Sequence, residues 1–161
     1  MDPSKPKPEK PVAPSEFELE CFLPYRLSLL TNTVSQGIAS SYRKQHDISV
    51  TEWRILAVLG RFPGLAAKEI ANRTAMDKVA VSRAVKSLVE KKLLQRIIDP
   101  SDRRRQALHI TPEKGWKLLQ KVIPLAKNYE QQLLDALTAG EKAALFVALE
   151  KLQSKASNLK T

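Results

Sequence analysis

Apolar residues recur at three- and four-residue steps along most of the chain, and the pattern breaks into discrete segments. Leu27, Leu30, Val34, Ile38 and Tyr42 mark one helical stripe between about residues 16 and 45, with Pro24 either at its start or at a bend. The run SVTE from Ser49 to Glu52 has the spacing of a capping box. Trp53, Leu56 and Leu59 follow as a second stripe, ended by Gly60 and Pro63-Gly64. Two shorter helices are predicted over about 66–73 and 77–91, separated only by TAM. Ile70 and Ala71 supply the inner face of the first, and Val81, Val85, Leu88 and Val89 that of the second, which is a helix-turn-helix pattern.

The period then changes. Residues 93–98 and 106–110 are short and rich in strand-forming residues, with DPSDRRR between them, so a hairpin follows the helix-turn-helix as a wing would. Thr111-Pro112 predicts a helix N-cap with proline at the first helical position. A long stripe follows through Trp116, Leu119, Ile123, Ala126, Leu133 and Leu137, with a kink expected near Ile123 because Pro124 lies inside it. TAGE from Thr138 to Glu141 repeats the capping-box spacing and opens a last helix with Leu145, Leu149, Leu152 and Ala156 expected inward.

The expected fold is mainly α with a small β-wing: a winged helix-turn-helix head flanked by long N- and C-terminal helices. Residues 1–15 hold five prolines alternating with charges and read as a disordered or polyproline-like tail. Residues 16–48 form an N-terminal dimerisation and ligand helix, 49–111 the winged head, and 112–161 the C-terminal dimerisation helices. Within one subunit the terminal stripes have little to pack on, so pairing with a second copy is expected to cover them.

Charge narrows the function. The chain carries 27 Lys and Arg against 17 Asp and Glu, a formal +10 over 161 residues. From Arg73 to His109 ten basic residues face four acidic ones, so more than half of the surplus lies in under a quarter of the sequence. That window lacks the apolar face of a membrane-surface helix, which leaves nucleic acid as the expected partner. Arg103, Arg104 and Arg105 stand together at the hairpin tip, where folding gains little from three like charges. An arginine there can enter a narrow A·T-rich minor groove.

A recognition helix in the major groove presents its N-terminal and outward residues to base edges. Lys78, Ser82, Arg83 and Lys86 are the candidates, Arg83 the foremost base reader, with Arg73 and Thr74 just ahead of them. Other chemistries find little material. A single cysteine, Cys21, excludes an internal disulfide and suits a reducing cytoplasm, the expected location. Two histidines far apart, His46 and His109, give no zinc set, and no glycine-rich phosphate loop or Ser-His-Asp arrangement can be assembled. No apolar run is long enough for a membrane span and no leader pattern opens the chain. Neither an enzyme nor a cofactor is expected.

The run KEIANRTAMDKVAVSRAVKSLVEKKLLQRIIDPSDRRRQALHIT, with this order of elements, resembles the MarR family of winged-helix transcription regulators. The resemblance extends over about residues 16–157, and its most specific part is VSRAVKSLVEKKLL followed by DPSDRRR and LHIT. Two positions depart from it. Lys92 stands where many members have a glycine for a left-handed helix end, and Gly115 falls four residues after Thr111 rather than three.

The resemblance implies a homodimer on a pseudopalindromic duplex operator, acting as a repressor. Arg104 would insert into the minor groove, Arg103 would lie on phosphate, and Asp102 would orient an arginine. It also implies release by a small anionic aromatic effector, a phenolic carboxylate or its thioester. Tyr25, Arg26, Leu29, Trp53 and Trp116 are the implied lining. Two alternatives remain open at this point. Cys21 lies four residues before Tyr25, similar to a peroxide-sensing branch, although a buried, inert cysteine is the expectation. A winged-helix protein binding DNA without sequence preference is the other.

Overall fold

The computed structural model describes residues 17–43, 46–98 and 106–159. The tail over 1–15 and the hairpin tip lie outside the described residues. Two compact units are distinguished, residues 1–36 and 37–161. A short 3-10 turn, Leu19–Cys21, precedes α1 (Leu23–Arg43), followed by α2 (Val50–Arg61), α3 (Ala67–Thr74) and α4 (Lys78–Glu90). Strands β1 (Leu94–Ile98) and β2 (Gln106–Ile110) come next, then α5 (Gly115–Leu134) and α6 (Ala139–Asn158). The order is the one expected, and Pro24 sits in the first turn of α1, where a missing N–H costs nothing.

Local chemistry sets the ends of the elements. Ser49 Oγ accepts from the Glu52 N–H at 3.2 Å while Glu52 Oε2 accepts from the Ser49 N–H at 2.6 Å, and Thr138 and Glu141 repeat the exchange before α6. Asp77 Oδ1 accepts from the Ala80 N–H at 2.9 Å and so starts α4. At the other end of α4 the Lys92 N–H donates to Val89 O and the Leu93 N–H to Leu88 O, with Lys92 at φ 60°. This pair of bonds is a Schellman ending, and lysine occupies its left-handed position, where glycine would be relaxed by about 1 kcal/mol.

The core of the second unit forms where these helices meet the hairpin. Ile55, Leu56 and Leu59 of α2, Ile70 of α3, and Val81, Val85 and Leu88 of α4 are buried with Leu94, Leu108 and Ile110 of the strands. Leu119 and Val122 of α5 and Tyr42 of α1 close the cluster. Burial of each such Leu or Ile contributes about 1.5–3 kcal/mol. The strands pair antiparallel with Leu94 opposite Ile110 and Ile98 opposite Gln106. The loop after α2 adds a further rung: the Gly64 N–H donates to Leu108 O at 3.1 Å and the Leu108 N–H to Leu65 O at 3.0 Å. Gly64 turns the chain into this rung at φ 81°.

Two expectations are corrected. Helix α5 begins at Gly115, not at Pro112. The Thr111 hydroxyl donates to Lys92 O at 2.8 Å and accepts from the Gly115 N–H at 2.9 Å, so it ties the helix start to the end of α4 instead of capping a helix at Pro112. The second correction concerns α6. Leu145, Leu149, Leu152 and Ala156 were expected inward, yet in one subunit all four are exposed and α6 buries no residue. A helical stripe records which positions can be covered, and among the described residues nothing covers these. Helix α5 runs continuously through Pro124.

The start of α5 gives a testable consequence. A Cβ on Gly115 would lie 2.3 Å from Leu93 O and 2.6 Å from Ile110 Cγ2. Gly115→Ala should therefore destabilise the chain by about 2 kcal/mol, because overpacking against backbone outweighs alanine's better helix propensity. A urea titration checks it, and an unchanged or raised midpoint would show that the α5 start can move.

Candidate nucleic-acid interface

Helix α4 divides cleanly into two faces. Val81, Ala84, Val85 and Leu88 are buried, and Val79, Ser82, Arg83 and Lys86 stand on the opposite face at i, i+3, i+4 and i+7. Ser82, Arg83 and Lys86 were expected here. Val79, 55% exposed, was not, because Lys78 was chosen for its charge although it lies at the margin of the stripe. Lys78 is itself exposed in the first turn. Lys86 Nζ lies 3.9 Å from Glu90, an exposed pair of small energetic weight, so its ammonium remains available to another anion.

Arg73 and Thr74 end α3 immediately before this helix. The Arg73 guanidinium stacks over the Phe62 ring at 4.2 Å, and Arg61 approaches the same ring at 5.2 Å. The Thr74 hydroxyl donates to Ile70 O at 2.7 Å, so its proton is used within α3. At the root of the wing, Arg96 donates to Gln106 Oε1 at 3.3 Å. Lys68, Arg96 and Gln106 border a cleft of about 290 Å³ with Ala66, Ala67, Val85 and Leu108. Asp102, Arg103 and Arg104 lie outside the described residues.

Beside the apolar core that packs α4 against α2 lies a partly buried polar cluster that sequence reading missed. Glu52, 4% exposed, accepts from Ser87 Oγ at 2.7 Å and from Lys91 Nζ at 3.1 Å, in addition to the Ser49 N–H. Lys91 also donates to Asp47 O at 2.5 Å and pairs with the Asp47 carboxylate at 3.4 Å. Burial by itself pushes the Glu52 carboxyl up. The hydrogen bonds from Ser49, Ser87 and Lys91, with the lysine's charge, outweigh that and hold it below its ordinary value. Glu52 was legible only as a capping residue; its partners lie 35 and 39 positions away.

The candidate effector residues divide between the two units. Tyr25, Arg26 and Leu29 come together along α1 and line an apolar cavity of about 820 Å³ with Glu20, Leu23, Leu27, Leu30 and Thr33. Trp53 belongs to the second unit, where its ring lies 6.1 Å from that of Tyr42. Trp116 is exposed at the start of α5. Cys21 corrects an expectation: it is exposed, not buried, and its thiol donates to the Glu18 carboxylate at 3.5 Å. It sits in the 3-10 turn ahead of α1, where no core is available to it. Among the described residues no His, Cys, Asp and Glu group is placed to share a metal ion, and no helix is long and apolar enough to cross a membrane.

With this geometry in view, comparison with known proteins is specific. A profile of the MarR family matches residues 46–105. The HTH-type transcriptional repressor NicR of Pseudomonas putida is 33% identical over 84 residues, 52% of each chain. The chain thus spans about half the length of that relative. The HTH-type transcriptional regulator BilQ of Clostridium symbiosum is 30% identical over 109 residues, 68% of this chain and 75% of the relative. The crystal structure of a MarR/EmrR family regulator from Acinetobacter sp. ADP1 superposes with a TM-score of 0.81 at 31% identity, covering 89% of this chain and 100% of that one.

Two more distant structures share the fold. CouR, a transcriptional repressor bound to a 23-mer DNA duplex, superposes with a TM-score of 0.73 at 24% identity, covering 86% of this chain and 99% of that one. BpsR of Bordetella bronchiseptica, whose DNA binding is regulated by 6-hydroxynicotinic acid, does so with a TM-score of 0.75 at 20% identity over 85% and 96%.

Proposed function

The chain belongs to the MarR family of transcription regulators, and from that premise we propose that it is a cytoplasmic repressor that binds a pseudopalindromic operator as a homodimer and leaves it on binding a small aromatic carboxylate. The observation that carries the DNA reading is the outward stripe of α4. Ser82, Arg83 and Lys86 are presented together on a helix whose other face is locked into the core. Arg83 has the fork geometry that reads guanine, Ser82 either donates or accepts, and Lys86 supplies charge. On this reading Arg103 would lie on phosphate, Arg104 would enter the minor groove and Asp102 would orient an arginine. Residues 49–111 are the reading head, and the flanking helices form the dimer. The bare apolar residues of α6 support that pairing, since a second copy would cover them.

The effector reading rests on the cavity along α1. Four leucines form half of its lining, Tyr25 offers a ring and a hydroxyl, and Arg26 is a permanent cation suited to a carboxylate. Trp53 and Trp116, the other two expected lining residues, belong to the second unit and are not among the residues that line this cavity. Regulation of BpsR by an aromatic acid supports this reading by analogy of fold, and the duplex held by CouR supports the DNA reading in the same way.

Footprinting beside the chain's own gene, followed by competition with phenolic and pyridine carboxylates and their thioesters, tests the whole. One protected palindrome that survives excess random DNA is expected, with release by one class of acid. Arg26→Ala should raise the concentration needed for release at least tenfold while leaving operator affinity within about twofold, since one charge-assisted pair contributes roughly 1.5–3 kcal/mol. Equal affinity for every duplex would identify a sequence-independent binder instead. Release by peroxide that is lost in Cys21→Ser would identify a redox sensor.

A further inference from the structure

Val79 is the anomaly of the α4 surface. It is the largest aliphatic side chain on the outward stripe, 55% exposed, and it occupies the first turn between Lys78 and the Ser82–Arg83 pair. Nothing in the fold asks for it. Its side chain lies opposite Val81, Val85 and Leu88, so it does not pack into the core. As a β-branched residue it is a poorer helix former than alanine, and exposed helix positions normally favour longer polar side chains. It carries no donor or acceptor, so it cannot hold phosphate or pair with a polar base edge.

One partner fits both its chemistry and its place. The outward first turn of a recognition helix reaches deepest among base edges, and the thymine C5 methyl is the one apolar group displayed in the major groove. Resting on the reading of the chain as an operator-binding dimer, we propose that Val79 is a specificity-determining residue that recognises a thymine methyl in each half-site, beside the base read by Arg83. The neighbouring cations support this occupant. Lys78, Arg83 and Lys86 surround Val79 with positive charge, which favours a polyanion over an apolar protein surface on this face. The stiffness of valine is an advantage there, because a single favoured rotamer keeps its methyls in place without an ordering cost.

Uracil differs from thymine only by that methyl, which gives a direct test on the footprinted operator. Thymines are replaced by uracil one position at a time, symmetrically in both half-sites, and affinity is measured for wild type and Val79→Ala. For the wild type, one symmetric pair of replacements should weaken binding about tenfold, as expected for losing a buried methyl contact twice, and the others little. Val79→Ala should bind the natural operator about tenfold more weakly and no longer distinguish thymine from uracil at that pair. Its melting temperature should stay level or rise, given alanine's helix propensity. A wild type indifferent to every uracil replacement would overturn the proposal, as would a Val79→Ala protein that keeps the wild-type ratio. A wild type that binds no duplex at all would fail earlier and differently, by removing the operator reading on which Val79 depends.

Discussion

Arg83→Ala is expected to cost the protein operator recognition, with affinity falling by close to a thousandfold while the fold is kept. The side chain is exposed on α4, on the face opposite the buried Val81, Val85 and Leu88. A bidentate arginine–guanine pair is worth about 1–3 kcal/mol, and a twofold operator loses two of them, so roughly 4 kcal/mol is at stake. The loss should fall on the specific site and leave binding to random DNA much less changed, since that is mostly counterion release. Gel shifts on operator and scrambled duplexes at one salt concentration measure both. Arg104→Ala gives the contrasting pattern: a smaller loss, concentrated where the flanking sequence is A·T-rich, because a wing arginine reads groove width. If Arg83→Ala weakened both duplexes equally, the residue would be a phosphate contact and base reading would lie elsewhere on the helix.

The second large effect is on stability. Glu52→Ala should destabilise the chain by about 3 kcal/mol, towards the low end for breaking a buried pair, because the Lys91 side chain keeps 29% of its exposure. The substitution also leaves the Ser87 hydroxyl and the Ser49 N–H without their acceptor. The pH dependence has a definite sign. Folding holds the carboxyl of Glu52 below its ordinary 4.5, so its contribution is complete above that value and drains away as the pH falls through the lowered folded value. Wild type should lose stability in that acidic window faster than the variant, and the two curves should converge there. Denaturant titrations at neutral pH and through the acidic range measure both. Parallel curves would mean that folding leaves the proton affinity of this carboxyl unchanged.

How far the sequence could be read follows from the range of each interaction. Both capping boxes were legible because donor and acceptor lie three residues apart, and the strands because their boundaries are marked by composition. The left-handed turn at Lys92 was legible only through the family resemblance, and its φ of 60° shows that lysine keeps that geometry. The failures are long-range. Thr111 reads as an ordinary cap until Lys92 O draws its hydroxyl away, and Glu52 reads as half of a capping box until Ser87 and Lys91 arrive from α4. Val79 was missed for a different reason: the outward residues were chosen by charge, although angular position alone would have found it. For α6 the period was visible in the sequence, but a stripe does not say which molecule is to cover it.

That last feature bears on how such a regulator behaves at low abundance. Under the twofold pairing proposed above, the greasy side chains of α6 leave water only when two subunits meet, so folding and assembly share one equilibrium. Mass action then links each subunit's integrity to its own copy number. A cell that lets the protein grow scarce would lose operator occupancy twice over, once through fewer molecules and again because those remaining come apart.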